Sequence, residues 1–75
     1  MIGKIIKKYK PYISRCDKIE DYSYVFIFRE RAKAEKFIEE VESLGSDFNI
    51  FNNDKYVKMT FKPIRKIHKE VDRYL

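Results

Sequence analysis

The most strongly apolar part of the chain lies between positions 22 and 44. Residues 24–28 (YVFIF) are apolar at every position. Because successive side chains of a strand point to opposite faces of a sheet, this run predicts a strand that is buried on both faces. Residues 30–44 then follow helical spacing, which predicts an amphipathic helix capped by Gly45 in a left-handed conformation. The apolar stripe of this helix consists of Ala34, Phe37, Ile38, Val41 and Leu44.

Weaker alternation predicts three further strands. Residues 12–16 alternate, and we expect the polar positions after them to turn the chain back against residues 22–29. These turn residues are Asp17, Lys18, Glu20 and Asp21. Residues 48–52 and 56–62 predict a second hairpin with one apolar face and one face that carries tyrosine and lysine. The residues expected to face the core are Phe48, Ile50, Val57, Met59 and Phe61, and those expected on the far face are Asn49, Phe51, Tyr56, Lys58, Thr60 and Lys62.

Two more amphipathic helices are predicted at the ends of the chain. Residues 2–10 place isoleucine and lysine on opposite sides of a helix that ends at Pro11. A helix of two turns is marginal alone, so we expect it to pack against the sheet; the alternative is that it docks on a membrane or a partner. Pro63 is expected to begin the last helix, since proline is favoured in a first helical turn. The apolar stripe of that helix consists of Ile64, Ile67, Val71, Tyr74 and Leu75.

These elements predict an α+β fold in a single domain that spans residues 1–75. A short N-terminal helix or arm (1–11) precedes tandem β-β-α units (12–44 and 47–75), which form a small antiparallel sheet with two helices packed on one face. The two units align as an internal repeat, which either duplication or convergent patterning would produce. The other face of the sheet is then either open or covered by the N-terminal helix.

Charge is unevenly distributed along the chain. Residues 1–15 carry a net charge of +5, residues 16–54 carry −5 and residues 55–75 carry +5, which sum to the overall +5. Basic termini suit a polyanionic partner. A single cysteine cannot form an internal disulfide, and no apolar run approaches the roughly 18 residues of a membrane span. We therefore expect a cytoplasmic protein, or one of the host cytoplasm if the source is viral, without a membrane span.

Catalytic and metal-binding patterns are not evident. One cysteine, Cys16, and one histidine, His68, are too few for the usual nucleophilic or zinc constellations within a monomer. Glycine occurs only at positions 3 and 45, so no phosphate-binding glycine loop is present. We therefore expect no enzyme activity, no metal and no cofactor, with Cys16 and His68 in structural roles.

The first functional hypothesis is a small basic module that binds nucleic acid or a nucleoprotein complex. Tyrosine and phenylalanine rings among lysines are suited to stack on single-stranded bases, and cations on a helix flank are suited to contact phosphates. The candidate binding residues are Lys4, Lys7, Lys8, Lys10, Tyr56, Lys58, Lys62, Arg65, Lys66, Lys69 and Arg73.

The second hypothesis is an inhibitor or adaptor that docks on a larger host enzyme. In size and composition the chain is similar in a general way to the small accessory proteins of phages, including anti-restriction and anti-CRISPR inhibitors, although a basic charge departs from the acidic DNA mimics among them. Its docking patch would be the acidic end of the central helix. That patch consists of Glu39, Glu40 and Glu42. The third hypothesis is self-association into a homodimer through a sheet edge.

Overall fold

The computed structural model of the protein describes residues 1–20 and 22–75. Its elements are α1 (Ile2–Tyr9), β1 (Ile13–Glu20), β2 (Ser23–Phe28), α2 (Arg31–Val41), β3 (Gly45–Asn52), β4 (Val57–Pro63) and α3 (His68–Asp72). Short 3-10 turns follow α1 and α2 and precede α3. The predicted α+β fold, with an N-terminal helix before an antiparallel sheet, is confirmed. Within the described residues, none of the helices has the length and apolar character needed to cross a membrane.

The second strands of the two hairpins form the centre of the sheet. The strand order is β1-β2-β4-β3, and every neighbouring pair is antiparallel. Strand β2 is buried along nearly its whole length, as its uninterrupted apolar run predicts. Strands β1 and β3 therefore form the two edges, where alternating polar side chains are tolerated because water can reach them.

The three described α-helices pack on one face of this sheet. Phe37 of α2 and Val71 of α3 belong to the same buried cluster as the helix-facing residues of β2 and β4. Helix α1 joins this layer by burying Ile2, Ile6 and Tyr9, and it contacts both α2 and α3. The N-terminal helix thus packs against the sheet beside the other helices. The opposite face of the sheet, which we call the open face, carries none of the described helices.

Aromatic packing around Phe37 holds the helix layer on the sheet. The Phe37 ring centroid lies 5.0 Å from that of Phe26, 5.4 Å from Phe28 and 5.5 Å from Tyr9. Phe61 completes the cluster with a centroid distance of 6.4 Å and stacks on Phe48 of the edge strand β3. One side chain of α2 therefore contacts α1, β2 and β4 at once, and its four ring neighbours come from distant parts of the sequence.

The predicted turn after residue 16 is wrong, because β1 continues to Glu20. The polar residues assigned to the turn instead occupy an edge strand and find partners there. Lys18 Nζ lies 3.6 Å from Asp72 Oδ1 on the helix side, and Asp17 Oδ2 lies 2.5 Å from Arg15 Nε on the open face. Position 21, also assigned to the turn, lies outside the described residues.

Gly45 does not cap α2 in a left-handed conformation, so that prediction is wrong. Its φ of −173° and ψ of −168° are extended, and it begins β3 opposite Pro63. Glycine is needed for a different reason: a Cβ atom here would lie 2.4 Å from the backbone oxygen of Lys62. The absence of a Cβ atom lets β3 and β4 approach closely at this end of the sheet.

Pro63 does not begin the last helix; it ends β4, and α3 begins only at His68. The N–H of Ile64 donates a 2.6 Å hydrogen bond to the oxygen of Leu44, which holds the chain extended beyond the proline. The predicted apolar stripe is correspondingly shorter. Val71 is fully buried, but Ile64 and Leu75 are 40% and 55% exposed and lie outside the core.

Candidate functional site

The strand register aligns four side chains in one row across the open face. Arg15 of β1 is paired with Ile27 of β2, Ile27 with Lys58 of β4, and Lys58 with Phe51 of β3. Phe51 is 59% exposed, and Lys58 Nζ lies 5.9 Å from its ring centroid. Two cations therefore flank a partly buried aliphatic side chain, with an exposed aromatic ring at one end of the row.

A second row lies beside the first. Asp17 is paired with Val25, Val25 with Thr60, and Thr60 with Asn49. Val25 is only 7% exposed although it lies on the open face, since its neighbours on both strands cover it. This row carries an amide, a hydroxyl and a carboxylate rather than cations, so the open face is not uniformly basic.

One further cation lies beyond the first row. The pairing of β2 with β4 ends at this side with Phe28 and Val57. Arg29 follows Phe28 and Tyr56 precedes Val57, so the two residues lie just beyond the end of this pairing. Arg29 is exposed, and Tyr56 is 36% exposed. We call this half of the open face the basic end. It consists of the paired residues Arg15, Ile27, Lys58 and Phe51, together with Arg29 and Tyr56, which directly follow β2 and directly precede β4 in the chain.

The opposite half of the open face is mixed in charge. A shallow depression there is lined by Lys62 together with the carboxylate residues Glu20 and Asp47. Asp47 has a positive φ of 58° at the irregular point of the β3–β4 pairing, where the register shifts between Ser46 and Asn49. Lys62 is thus separated from Lys58 by the second row, although the alternation of β4 placed the two lysines on the same face.

The turn between β3 and β4 is built by a local side-chain bond. Asn53 Oδ1 accepts hydrogen bonds from the backbone N–H groups of Lys55 and Tyr56, at 2.8 and 3.0 Å. The N–H of Asn53 in turn donates to the oxygen of Tyr56 at 3.1 Å. This Asx turn fixes the backbone at Tyr56, which positions its ring at the edge of the basic end.

The predicted lysines of the N-terminal helix lie on the other side of the molecule, in the helix layer. Lys4 and Lys7 are exposed on α1. Lys8 Nζ contacts both carboxylate oxygens of Glu40 on α2 at 3.1 Å, so it helps to join two helices. Lys10 follows α1 and lines a groove beside β1. Lys4, Lys7 and Lys8 therefore lie apart from Lys58 and Lys62, while Lys10 lies in the groove at the edge of the sheet.

The predicted cations near the C terminus also divide between places. The Arg65 guanidinium lies 5.0 Å from the ring centroid of Tyr22, a cation–π contact. Lys66 and Lys69 are exposed beside it, on the turn before α3 and on α3 itself. Arg73 lines the same groove as Lys10. The set predicted from sequence thus separates into the basic end, the mixed half of the open face, the helix layer and the groove.

The acidic patch predicted on α2 is partly used within the fold. Glu40 accepts hydrogen bonds from the hydroxyl of Tyr9 and from the ammonium group of Lys8. These hydrogen bonds lower the pKa of the Glu40 carboxyl, while burial and the Glu40 bond raise the pKa of Tyr9 to about 12. Glu39 and Glu42 remain exposed. Of the three glutamates, the middle one therefore joins α1 to α2.

Cys16 and His68 both take part in packing. Cys16 faces the helix layer opposite Phe26, and burial raises the pKa of its thiol to about 12, so the nucleophilic thiolate is scarce at neutral pH. The His68 ring lies edge-on to Tyr22 at 4.5 Å, and its Nδ1 contacts the oxygen of Arg65. In the part of the chain that the structure describes, no three His, Cys, Asp or Glu residues are placed to hold a metal ion.

Sequence reasoning missed three members of the basic end. Ile27 lies in the apolar run 24–28, which carries no charge that would mark a binding residue. Arg15 and Arg29 lie near the ends of the two strands of the predicted first hairpin, whose register and position beside β4 the sequence does not predict. Their proximity to Lys58 and Phe51 becomes apparent only once the strand order is known, since β1 and β4 lie on the two sides of β2.

Comparison of the chain with models of protein families, with curated proteins and with solved structures found no match.

Proposed function

We propose that the protein is a non-enzymatic module that binds single-stranded nucleic acid on the basic end of the open face. The observation that carries the proposal is the row in which Arg15, Ile27, Lys58 and Phe51 succeed one another across the sheet. Aromatic rings that stack on bases, together with cations that contact phosphates, are the two elements that sequence-independent single-strand binding requires.

The spacing of the row supports this chemistry. Adjacent strands lie about 4.8 Å apart, so Arg15 and Lys58, which flank Ile27, are about 10 Å apart at the backbone. Two cations at this separation are able to contact different phosphates of one strand. Phe51 is the cross-strand partner of Lys58, Tyr56 precedes Lys58 by two residues, and both rings are exposed. Each stacked base contributes about 1–3 kcal/mol in proteins of this kind.

Single strands fit this surface better than duplexes. Stacking on a protein ring requires an unpaired base whose face is free, which a duplex does not offer. The basic end also carries few cations: Arg15, Arg29 and Lys58. With about 0.7 counterions released per phosphate contact on a single strand, these three predict that log K falls against log salt with a slope of about −2.

The competing role as an inhibitor that docks through the acidic end of α2 gains no support from this surface. Glu40, the middle residue of that patch, is bound to Tyr9 and Lys8 of the same chain. A partner that used Glu40 would compete with its bonds to Lys8 and Tyr9.

Fluorescence anisotropy with a labelled poly-thymidine strand, a labelled poly-adenosine strand and the corresponding duplex tests the proposal. We expect the single strands to bind, the duplex to bind more weakly, and the affinity to fall as salt is raised from about 50 to 200 mM. Equal affinity for single strands and duplex, or affinity that does not change with salt, would refute the proposal.

A further inference from the structure

A groove of about 430 Å³ lies where the edge strand β1 meets the end of α1 and the segment that follows α3. Lys10, Arg15 and Arg73 line it, and they come from three separate parts of the chain. Among the described residues that line this groove there is no aspartate or glutamate. A concave site with several basic side chains and no acidic side chain on its walls attracts anions, because the surrounding walls concentrate the field.

Arg15 belongs both to this groove and to the basic end. It shares the open face with Ile27 through their pairing, yet it also lines the groove on the outer edge of β1. The register of β1 shifts between Ile13 and Arg15, and such irregularities redirect side chains at sheet edges. The two surfaces are therefore continuous across the edge of the sheet, with one guanidinium at their junction.

The contact between Arg15 and Asp17 does not block this role. Both side chains are well exposed, at 70% and 42%, and an exposed ion pair of this kind contributes little. The contact uses Arg15 Nε, and the planar guanidinium has further N–H donors that suit the oxygens of a phosphate.

We propose that this groove holds the backbone phosphates of a single strand that leaves the basic end across the edge of β1. The inference rests on the proposed function and extends it: bases stack on the open face, and the phosphates beyond them contact Lys10 and Arg73. Ser14, on the same wall, adds a hydroxyl donor, and Tyr74 adds a ring against which a further base is able to pack. Continuity with Arg15 favours a nucleic-acid strand over a free anion as the occupant.

The test compares a thymidine oligomer of about four nucleotides with one of about twelve, a range that spans the site sizes of small single-strand binding domains. The double variant Lys10→Ala/Arg73→Ala is matched by Lys36→Ala/Lys66→Ala, which removes two exposed cations elsewhere. We expect the groove variant to bind the short oligomer like the wild type and the long oligomer about tenfold more weakly. Its salt slope on the long oligomer should be smaller by about 1.4, for two lost phosphate contacts.

Amide chemical shifts of the unmodified protein provide a second measurement that does not depend on the variants folding. The amides of Lys10, Ser14 and Arg73 should move with the long oligomer and stay in place with the short one. If the groove variant binds the long oligomer like its matched control, or if these amides do not move, the inference is wrong.

Phe51→Ala separates this inference from the proposed function. It should weaken binding of both lengths, whereas the groove variant should affect the long oligomer only. An effect of Phe51→Ala without an effect of the groove variant overturns the groove alone. Unchanged binding by both variants overturns the groove and the proposed function together.

Discussion

The two faces of the sheet are built from the same strands but differ in how far their aromatic residues are exposed. On the covered face, Phe26, Phe28 and Phe61 are at most 1% exposed and surround Phe37. On the open face, Phe51 is 59% exposed and has a lysine beside its ring. Burial of a phenylalanine contributes to folding, while an exposed ring contributes almost nothing to it. The comparison therefore separates side chains that stabilise the protein from side chains that are available to a partner.

Phe37→Ala should have the largest effect on stability, because it leaves a cavity that is bordered by rings from α1, β2 and β4. We expect the free energy of unfolding to fall by about 3–5 kcal/mol, as is typical for phenylalanine to alanine in a core. Urea denaturation followed by circular dichroism measures it. Since native proteins are stable by only about 5–15 kcal/mol, this loss is a large fraction of the total stability. A loss below about 1 kcal/mol would contradict this account of the core.

Phe51→Ala makes the same substitution on the open face and should have the converse result. Its stability should stay within about 0.5 kcal/mol of the wild type, as for other exposed positions. Its affinity for a single strand should fall by about 5- to 150-fold, the equivalent of 1–3 kcal/mol for one lost stacking contact. Urea denaturation measures the free energy of unfolding, and an anisotropy titration measures the affinity for the single strand. A variant that is strongly destabilised but binds normally would show that Phe51 is a structural residue.

Lys58→Ala should have a smaller effect, and one that depends on salt. Removal of one phosphate contact reduces the slope of log K against log salt by about 0.7 for a single strand. Lys36→Ala removes a comparable exposed charge from α2 and serves as its control. Both variants lower the net charge equally, so a difference between their slopes reports contact rather than overall charge. Identical slopes would place Lys58 outside the interface.

Acid should have the mildest effect of these changes. It should lower the stability of the fold through two carboxylates of α3, Glu70 and Asp72. Hydrogen bonds from Tyr24 lower the pKa of Asp72, and the N–H of Gly3 lowers the pKa of Glu70. Because these pKa values are lower in the folded protein than the unfolded values of 3.8 and 4.5, their stabilising effect is complete above about pH 5 and is lost as the pH falls through the folded values. The melting temperature should therefore decline below about pH 5.

Asp72→Asn provides the control for this pH dependence. Its melting temperature at neutral pH should be lower than that of the wild type, since the amide loses the charged partner of Lys18. Its decline in acid should be shallower, because one of the titrating groups is gone. An acid profile parallel to that of the wild type would show that Asp72 does not contribute. Partial exposure of these carboxylates keeps the expected shifts small.

Part of the candidate site was predictable from the sequence. Alternation in β4 placed Tyr56 and Lys58 on the face opposite the core, and alternation in β3 placed Phe51 there. Arg15 and Arg29 could not be assigned to the site, because the pairing of β2 with β4, which brings the first hairpin beside Lys58 and Phe51, joins residues far apart in the chain. The grouping of all basic helix residues with Lys58 and Lys62 was a prediction from charge alone. Charge along a sequence does not say on which side of a sheet a helix will pack.

The sequence by itself determined the central elements β2, β4 and α2 and which of their side chains face the core, since periods of two and of 3.6 residues are local properties of a strand and a helix. It therefore predicted the α+β class, the burial of β2 and the core stripe of α2. Only the tertiary structure decided the order β1-β2-β4-β3, the place of α1 in the helix layer and the close approach at Gly45. These depend on contacts between distant residues, and it is these contacts that bring Arg15, Ile27, Lys58 and Phe51 into one row.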